Sequence, residues 1–131
     1  MARVIYRLEY VSGSFPYIDE NVEVMVTNCT TINQFVKVQV VDSFNQLVFD
    51  ADREVEPGFT WTQGASVIRG APPLRIVIRT TDQMVPSAVI FKRDDLDVNA
   101  TTRMWPDNFV VFPLYAPPVV PPISPVPPAQ E

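Results

Sequence analysis

The sequence contains no histidine, one cysteine and only four glycines among its 131 residues. Without histidine, the commonest general base and metal ligand are missing, so Ser-His-Asp and Cys-His catalytic pairs are excluded. No glycine-rich phosphate loop is present, and no two carboxylates stand in a recognisable catalytic frame. We therefore predict that the protein is not an enzyme.

The one cysteine, Cys29, has no partner for a disulfide within the chain. Its position in a strand-like run favours a small buried apolar residue. An intermolecular bridge and a reactive thiol are the alternatives.

Charged residues are also scarce, at 19% of the chain, where about 25% is usual. The deficit suggests that part of the surface is covered by something other than water. The net charge of −5 argues against nucleic acid as a partner. No apolar run is long enough to span a membrane, and no secretory signal is recognisable. We expect that the protein either stays where it is made or leaves by lysis or another unconventional route, and an extracellular, spore-surface or cell-surface location is favoured. We interpret the two sequons, Asn28-Cys29-Thr30 and Asn99-Ala100-Thr101, as chance matches.

Apolar and polar residues alternate with a period of two along much of the chain. Such alternation predicts strands with one buried and one wetter face, and it runs through 4–10, 22–26, 36–40 and 74–78. The segments 88–91 and 109–112 are continuously apolar, which predicts strands covered on both faces or edges that meet a partner. Eight or nine short strands without a long amphipathic helix predict an all-β fold, a single antiparallel β-sandwich of the jelly-roll or Ig-like type.

The chain divides into three segments. Residues 1–12 predict an N-terminal strand, either the first strand of its own sandwich or an assembly arm hinged at Ser12-Gly13-Ser14. Residues 13–112 predict the β-sandwich domain, in which 94–108 form a loop with one helical turn. Residues 113–131 include eight prolines and predict an extended polyproline II tail, of which residues 116–129 would reach about 43 Å.

The proline-rich tail carries no charged side chain before Glu131, unlike a flexible solubilising linker. Polyproline II has three residues per turn, which aligns Val120, Ile123 and Val126 on one ridge. An apolar ridge on a stiff strut suits a groove on a partner, expected to be another copy of the chain. A disordered end is the alternative. The residues predicted to bind a partner are Val120, Ile123, Val126, Pro118, Pro121, Tyr115, Tyr6 and Tyr10.

Two further sets of side chains suggest ligands. Asp95, Asp97 and Asn99 have the spacing of the first calcium ligands in a loop, but Ala100 and Pro106 stand where an EF-hand needs glycine and glutamate. We expect a solvated acidic loop, with an improvised calcium site as the alternative and no other cofactor. A second set consists of aromatic residues that can form a core, an assembly interface or a carbohydrate-stacking platform. These residues are Trp61, Trp105, Tyr6, Tyr10, Tyr17 and Tyr115.

Residues 22–81 resemble a known family in their pattern. The segment has a strand ending in VTN, then VKVQVVD, a Pro-Gly turn at 57–58 and LRIVIRTT. This pattern is similar to the jelly-roll subunits of Gram-positive spore appendages and other extracellular protein filaments. The resemblance implies a subunit without a signal peptide that polymerises through a terminal extension inserted into a neighbour. That family's extension is N-terminal and carries cysteines, whereas Cys29 lies within the body of this chain.

These observations favour a structural protein, a self-assembling subunit of a surface or extracellular filament or coat. Its proline-rich tail is expected to dock on neighbouring subunits. A monomeric β-sandwich module that binds carbohydrate or protein is one alternative, and a virion decoration or fibre protein is another.

Overall fold

The computed structural model describes residues 4–15, 20–67, 70–92 and 102–114. In these residues the chain forms nine β-strands and one short 3₁₀ turn, Pro106–Asn108. The strands are β1 (Leu8–Ser12), β2 (Glu20–Thr27), β3 (Gln34–Val41), β4 (Leu47–Val55), β5 (Thr60–Val67), β6 (Arg75–Thr80), β7 (Val85–Lys92), β8 (Thr102–Met104) and β9 (Phe109–Pro113). Within this part of the chain, no helix is long and apolar enough to cross a membrane.

The strands form two antiparallel sheets that pack face to face. The five-stranded sheet has the order β4-β3-β6-β1-β9, and the four-stranded sheet has the order β5-β2-β7-β8. Only the β3–β4 and β7–β8 pairs join strands that are consecutive in the chain, so most connections cross from one sheet to the other. This architecture confirms the predicted all-β sandwich.

The core lies between the sheets because the strand pleat sends alternate side chains inward. Val22, Val24 and Val26 on β2 are buried, while Glu23 between them is exposed. Burying one such valine contributes roughly 1.5–3 kcal/mol. The other large apolar residues that are fully buried in the described part of the chain are Val36, Val38, Val40, Leu74, Ile76 and Ile78.

A buried carboxylate holds the turn between β3 and β4. The Asp42 Oδ1 atom accepts hydrogen bonds from the backbone N–H groups of Phe44 and Gln46, both at 2.9 Å. Its Oδ2 atom accepts from Ala71 N–H at 3.2 Å. These N–H groups, Gln46 first, lower the pKa of the Asp42 carboxyl below its ordinary value. Asp42 therefore fastens the β3–β4 hairpin to the segment that precedes β6.

The N-terminal strand lies inside the five-stranded sheet, and two boundaries differ from those predicted. β1 pairs with β6 on one side and β9 on the other, so it is a strand of the chain's own sandwich. It begins at Leu8 rather than at residue 4, since Arg7 N–H already donates to the Thr80 carbonyl outside the regular ladder. At the other end, β9 runs through Pro113, one residue beyond the predicted sandwich boundary.

Among the described strands, four lie at the edges of the two sheets. They are β4 and β9 in the five-stranded sheet and β5 and β8 in the four-stranded sheet. β4 carries charged residues between Asp50 and Glu54, and β8 is only three residues long. These are common features of edge strands that avoid pairing with other chains.

Candidate functional site: an apolar edge and the groove beside it

Most residues predicted to bind a partner lie outside the described part of the chain. This holds for Tyr115, Pro118, Val120, Pro121, Ile123 and Val126, and for the predicted calcium ligands Asp95, Asp97 and Asn99. Of the predicted partner-binding set, the structure places Tyr6 and Tyr10. Among the described residues, no group of three or more acidic or cysteine side chains is arranged to hold a metal ion.

Tyr10 belongs to the core and not to an exposed surface, which corrects its predicted place among the partner-binding residues. Only 4% of the residue is exposed, and its hydroxyl accepts a hydrogen bond from Met84 N–H at 2.9 Å. Burial raises the pKa of the Tyr10 hydroxyl. The physical reason is the strand pleat, because Tyr10 is opposite Ile78 on the inward face of the five-stranded sheet.

Tyr6 lies partly exposed near the outer face of the five-stranded sheet. The Lys37 Nζ atom is 6.0 Å from the centre of its ring, a distance at the limit of a cation–π contact. Partial burial, followed by the charges of Asp52 and Asp50, raises the pKa of the Tyr6 hydroxyl. Tyr6 therefore borders the charged side of this face, over β3 and β4.

Cys29 and Asn28 occupy opposite environments in the turn that follows β2. The prediction of a buried cysteine is wrong: Cys29 is exposed, and its Sγ atom lies 3.8 Å from the Gln83 carbonyl oxygen. Asn28 is instead fully buried, and its Nδ2 group donates to the carbonyls of Ile32 and Val55. Its Oδ1 atom accepts from the backbone and hydroxyl of Thr30. The folded chain therefore uses this amide as an internal connector and does not expose it.

The last strand of the five-stranded sheet, β9, presents apolar side chains at an edge. Val110, Val111 and Phe112 are 59%, 49% and 47% exposed. Only Phe109, at the start of the strand, is buried. Because β9 pairs with β1 alone among the described strands, these side chains have no neighbouring strand to cover them. Of the two predicted alternatives for the run 109–112, the structure shows an edge strand, and its contact with a partner stays a prediction.

The backbone of β9 is poorly suited to further strand pairing. Leu114 N–H donates to the Arg7 carbonyl at 2.7 Å, and hydrogen-bonded pairs alternate along an antiparallel ladder. The backbone groups of Val110 and Phe112 therefore face β1, while those of Val111 and Pro113 face outward. Pro113 has no N–H, and a proline at an edge limits strand addition. An interaction at β9 must therefore rely on side chains.

A shallow groove lies on the outer face of the five-stranded sheet, next to β9. Gln39, Asn45 and Leu47 line part of it. Its floor includes Val11 and the largely covered Val41 and Val77, which are only 8% and 7% exposed, and its rim includes Glu9, Arg75 and Arg79. We refer to the surface that these residues form as the outer-face groove. Val110 is paired with Val11 and Phe112 with Glu9, so these two exposed side chains of β9 extend the outer face to the sheet edge, whereas Val111, opposite Tyr10, lies on the other face.

The two arginines on the rim differ in their partners. Arg79 Nε donates to Glu9 Oε2 at 2.9 Å, which is an ion pair with both side chains partly exposed. Arg75 Nη2 donates to the amide oxygen of Asn45 at 2.6 Å.

Sequence reasoning missed this groove although the sequence contains a signal for it. Alternation assigned Ile76 and Ile78 to the buried face and Arg75 and Arg79 to the wet face. Val77 lies between the two isoleucines and faces outward, where it pairs with Val11. The signal is an apolar residue at a position that alternation reserves for a polar one.

The aromatic residues do not gather into one exposed surface in the described part of the chain. Trp61 and Tyr10 are buried in the core, while Trp105 is 61% exposed in the segment after β8. Tyr17 and Tyr115 lie outside the described residues. The core interpretation therefore holds for Trp61 and Tyr10.

No protein-family model matches the chain, and no curated protein matches it in sequence. Among solved structures, the fold is similar to the crystal structure of Thermotoga maritima 1070. That match covers 87% of this chain and 97% of the other, with 8% identity and a TM-score of 0.45. A likeness at this level carries no argument about function.

Proposed function

We propose that the protein is a structural, self-assembling subunit of a surface or extracellular filament or coat, whose proline-rich tail docks on a neighbouring copy. The observation that carries the proposal is the β9 edge, where Val110, Val111 and Phe112 are exposed. The chain continues from this edge into residues 115–131, which contain no charge before Glu131. An apolar strand edge that leads into an uncharged, proline-rich segment is a surface suited to burial by a partner.

The outer-face groove is the surface that we assign to the incoming tail. Its valines are apolar like the Val120, Ile123 and Val126 ridge, and polar side chains form most of the rest of its lining. A pre-extended tail loses less conformational entropy on docking than a flexible segment does. Recognition would rest on buried apolar area, because the prolines of the tail have no backbone N–H group to donate.

The tail leaves the sheet beside the Glu9 and Arg79 end of the outer-face groove, because Phe112 is opposite Glu9. β9 runs from Phe109, opposite Ser12, to Pro113, opposite Leu8. Leu8 is paired with Thr80, whereas Arg75 lies at the far end of β6. The chain therefore leaves the sheet at the end away from the Arg75 side of its own groove. Head-to-tail docking on a neighbouring copy is heterologous, and it builds open filaments unless the rotation closes a ring.

The test compares two full-length double variants that add the same charge. Val120→Asp with Ile123→Asp places carboxylates on the ridge. Val119→Asp with Ser124→Asp places them on the two other faces of the same polyproline helix. Negative-stain electron microscopy and sedimentation velocity measure the mass of polymer in each sample.

We expect the ridge variant to lose polymer mass at least tenfold and the control variant to assemble as the unmodified chain does. Removal of residues 116–131 should abolish polymers while circular dichroism still shows a folded β-sandwich, because the described core lies within residues 8–113. Polymers of normal length from the ridge variant or from the truncated chain would contradict the proposal.

A further inference from the structure

Among the described residues, the edge strand β5 differs from the other three edges because it has neither charge, nor proline, nor a short length to limit strand addition. β4 carries charged side chains, β8 is three residues long and β9 contains Pro113. β5 is eight residues long and reads TWTQGASV, with no charged residue and no proline. Soluble proteins rarely leave such an edge unprotected.

The backbone of β5 is in phase to accept another strand. Asn28 N–H donates to the Phe59 carbonyl at 3.0 Å, which sets the hydrogen-bonded pairs along the β2–β5 ladder. By this alternation, the N–H and C=O groups of Trp61, Gln63 and Ala65 face β2. Those of the residues between them face away from β2 and, among the described strands, meet no other strand. The outward-facing residues are Thr60, Thr62, Gly64 and Ser66.

A proline on the other side of β2 supports this phase. Pro86 on β7 is opposite Val26 and has no N–H to donate. If the N–H and C=O groups of Val26 faced β7, the Val26 carbonyl would need a hydrogen bond from the N–H group that Pro86 lacks. The observed phase directs the groups of Val26 to Trp61 on β5 and leaves Pro86 in a non-hydrogen-bonded pair.

We infer that two copies of the chain pair their β5 strands antiparallel about a two-fold axis, which joins the two four-stranded sheets into one continuous sheet. In the register that uses every outward-facing group, Thr60 is opposite Ser66 of the second copy and Thr62 is opposite its Gly64. Each of the four outward residues then gives and accepts one bond, for about eight hydrogen bonds in total. A shift of two residues in either direction leaves one of the four residues on each copy without a partner.

The side chains of β5 are complementary in the same register. The large Trp61 is opposite the small Ala65 of the second copy, and Thr62 is opposite Gly64, beside which a Cβ atom would meet nothing within 4 Å. Gln63 is opposite Gln63 of the second copy, at the two-fold axis. No like charges meet across the pair, because the strand has no charged residue. The Gln63 amide already donates to the Gly64 carbonyl at 2.8 Å and must release it as the second strand arrives.

This pairing goes beyond the proposed function, since it uses neither the tail nor the outer-face groove. An isologous two-fold contact closes on itself and stops at a dimer. Combined with tail docking, it would make the dimer the repeating unit of the assembly.

The experiment is disulfide trapping in the full chain, with Cys29→Ser to remove the exposed native thiol. Gln63→Cys places two thiols directly opposite each other at the axis, in a non-hydrogen-bonded pair. Such pairs bring Cβ atoms to about 4.5–5.5 Å, close to disulfide geometry. Thr62→Cys is the control, because the residue opposite position 62 across the axis is Gly64 and not a second introduced thiol.

We expect mild oxidation to convert most of the Gln63→Cys chain into a disulfide-linked dimer, at least tenfold faster than the Thr62→Cys chain. Equal rates for the two variants, or no cross-linking in either, would overturn the pairing of two copies. Absence of cross-linking together with a strand of another protein bound at β5 would overturn it in favour of that partner.

The same experiment separates this inference from the proposed function when it is repeated with Val120→Asp and Ile123→Asp. Dimers and no polymers support both proposals. Monomers would overturn the β5 pairing and leave the tail-docking proposal intact. Polymers of normal length would overturn tail docking, and the disulfide cross-link would then decide the β5 pairing.

Discussion

The strands β5 and β9 are both edges of the sandwich, yet they expose opposite features. β9 exposes the side chains of Val110, Val111 and Phe112, while Pro113 removes an outward backbone donor. β5 exposes the backbone of four residues, with Thr60, Thr62 and Gly64 on its outer face. The comparison indicates two modes of association, burial of side chains at β9 and hydrogen bonding of strands at β5.

The two modes have different consequences for assembly. Strand pairing about a two-fold axis is isologous and closes, whereas a tail that docks on the next subunit is heterologous and propagates. A molecule with one edge of each kind can form dimers that then link into filaments. The predictions below test whether the two edges act independently.

The largest effect is expected at Asn28, which supports the start of β5 and has no role at β9. Asn28→Ala leaves the carbonyls of Ile32 and Val55 and the Thr30 N–H without their side-chain partner. Because each buried unsatisfied group costs about 1–3 kcal/mol, we expect the free energy of unfolding to fall by roughly 2–4 kcal/mol. Urea denaturation measures this loss.

The control for that prediction is Asn33→Ala, in the same turn. Asn33 Nδ2 donates to Glu54 Oε2 on the exposed surface, so its loss should cost no more than about 0.5 kcal/mol. An equal fall in the free energy of unfolding for Asn28→Ala and Asn33→Ala would show that the buried Asn28 amide does not hold the β4–β5 turn. Hydrogen exchange should rise at the start of β5 in Asn28→Ala and stay unchanged at β9.

The next effect compares one outward-facing backbone position on each edge. Thr62→Pro removes an outward N–H from β5 without removing a bond to β2, and Val111→Pro does the same on β9 relative to β1. We expect Thr62→Pro to weaken dimerisation at least tenfold, measured by sedimentation equilibrium in a chain with the ridge substitutions Val120→Asp and Ile123→Asp. Val111→Pro should leave the dimer dissociation constant within about twofold of the parent. If Val111→Pro weakened the dimer as much as Thr62→Pro, the two-fold contact would lie at β9.

A smaller effect is expected from charge at the apolar edge. Val110 is 59% exposed and extends the floor of the outer-face groove, so Val110→Asp should raise the critical concentration for polymerisation several-fold. Val85→Asp is the matched control, since Val85 is 42% exposed on the four-stranded sheet. Light scattering against protein concentration gives both values. The assigned groove is wrong if Val85→Asp has the larger effect.

The smallest effect concerns acid stability away from both edges. Hydrogen bonds lower the pKa of Asp42, so its carboxylate contributes stability above the ordinary aspartate pKa of about 3.9. That stability should be lost as the pH falls from about 4 through the lower folded-state pKa. Asp42→Asn places an N–H₂ group against Ala71 N–H, so thermal melts should show lower stability at pH 7 and a weaker decline below pH 4. An unchanged decline in Asp42→Asn would assign the acid sensitivity to other carboxyls.

The sandwich and much of its core could be predicted because alternation directly reports which strand face is buried. Val22, Val24 and Val26, with Val36, Val38 and Val40, lie where their period predicts. The order of strands within each sheet could not be predicted, because pairing joins residues far apart in the chain, such as Glu9 and Arg79. The protective role of Pro113 and the unprotected state of β5 depend on that order.

The candidate site was harder to predict than the fold, and Tyr10 and Cys29 show why. Tyr10 is amphipathic, and only the inward pleat of β1 and the nearby Met84 N–H decide that it belongs to the core. Cys29 follows the buried Asn28, whose hydrogen bonds turn the chain and expose the thiol. Val77 shows the reverse case, an apolar residue on the outer face. Its place in an apolar surface can be recognised only when its pairing with Val11 is known.

The most direct test of self-assembly is negative-stain electron microscopy of the purified full chain over a range of concentrations. We predict filaments or extended coats that grow with concentration and disappear in the Val120→Asp, Ile123→Asp variant. A uniform population of single 14.8 kDa chains at every concentration would contradict the account.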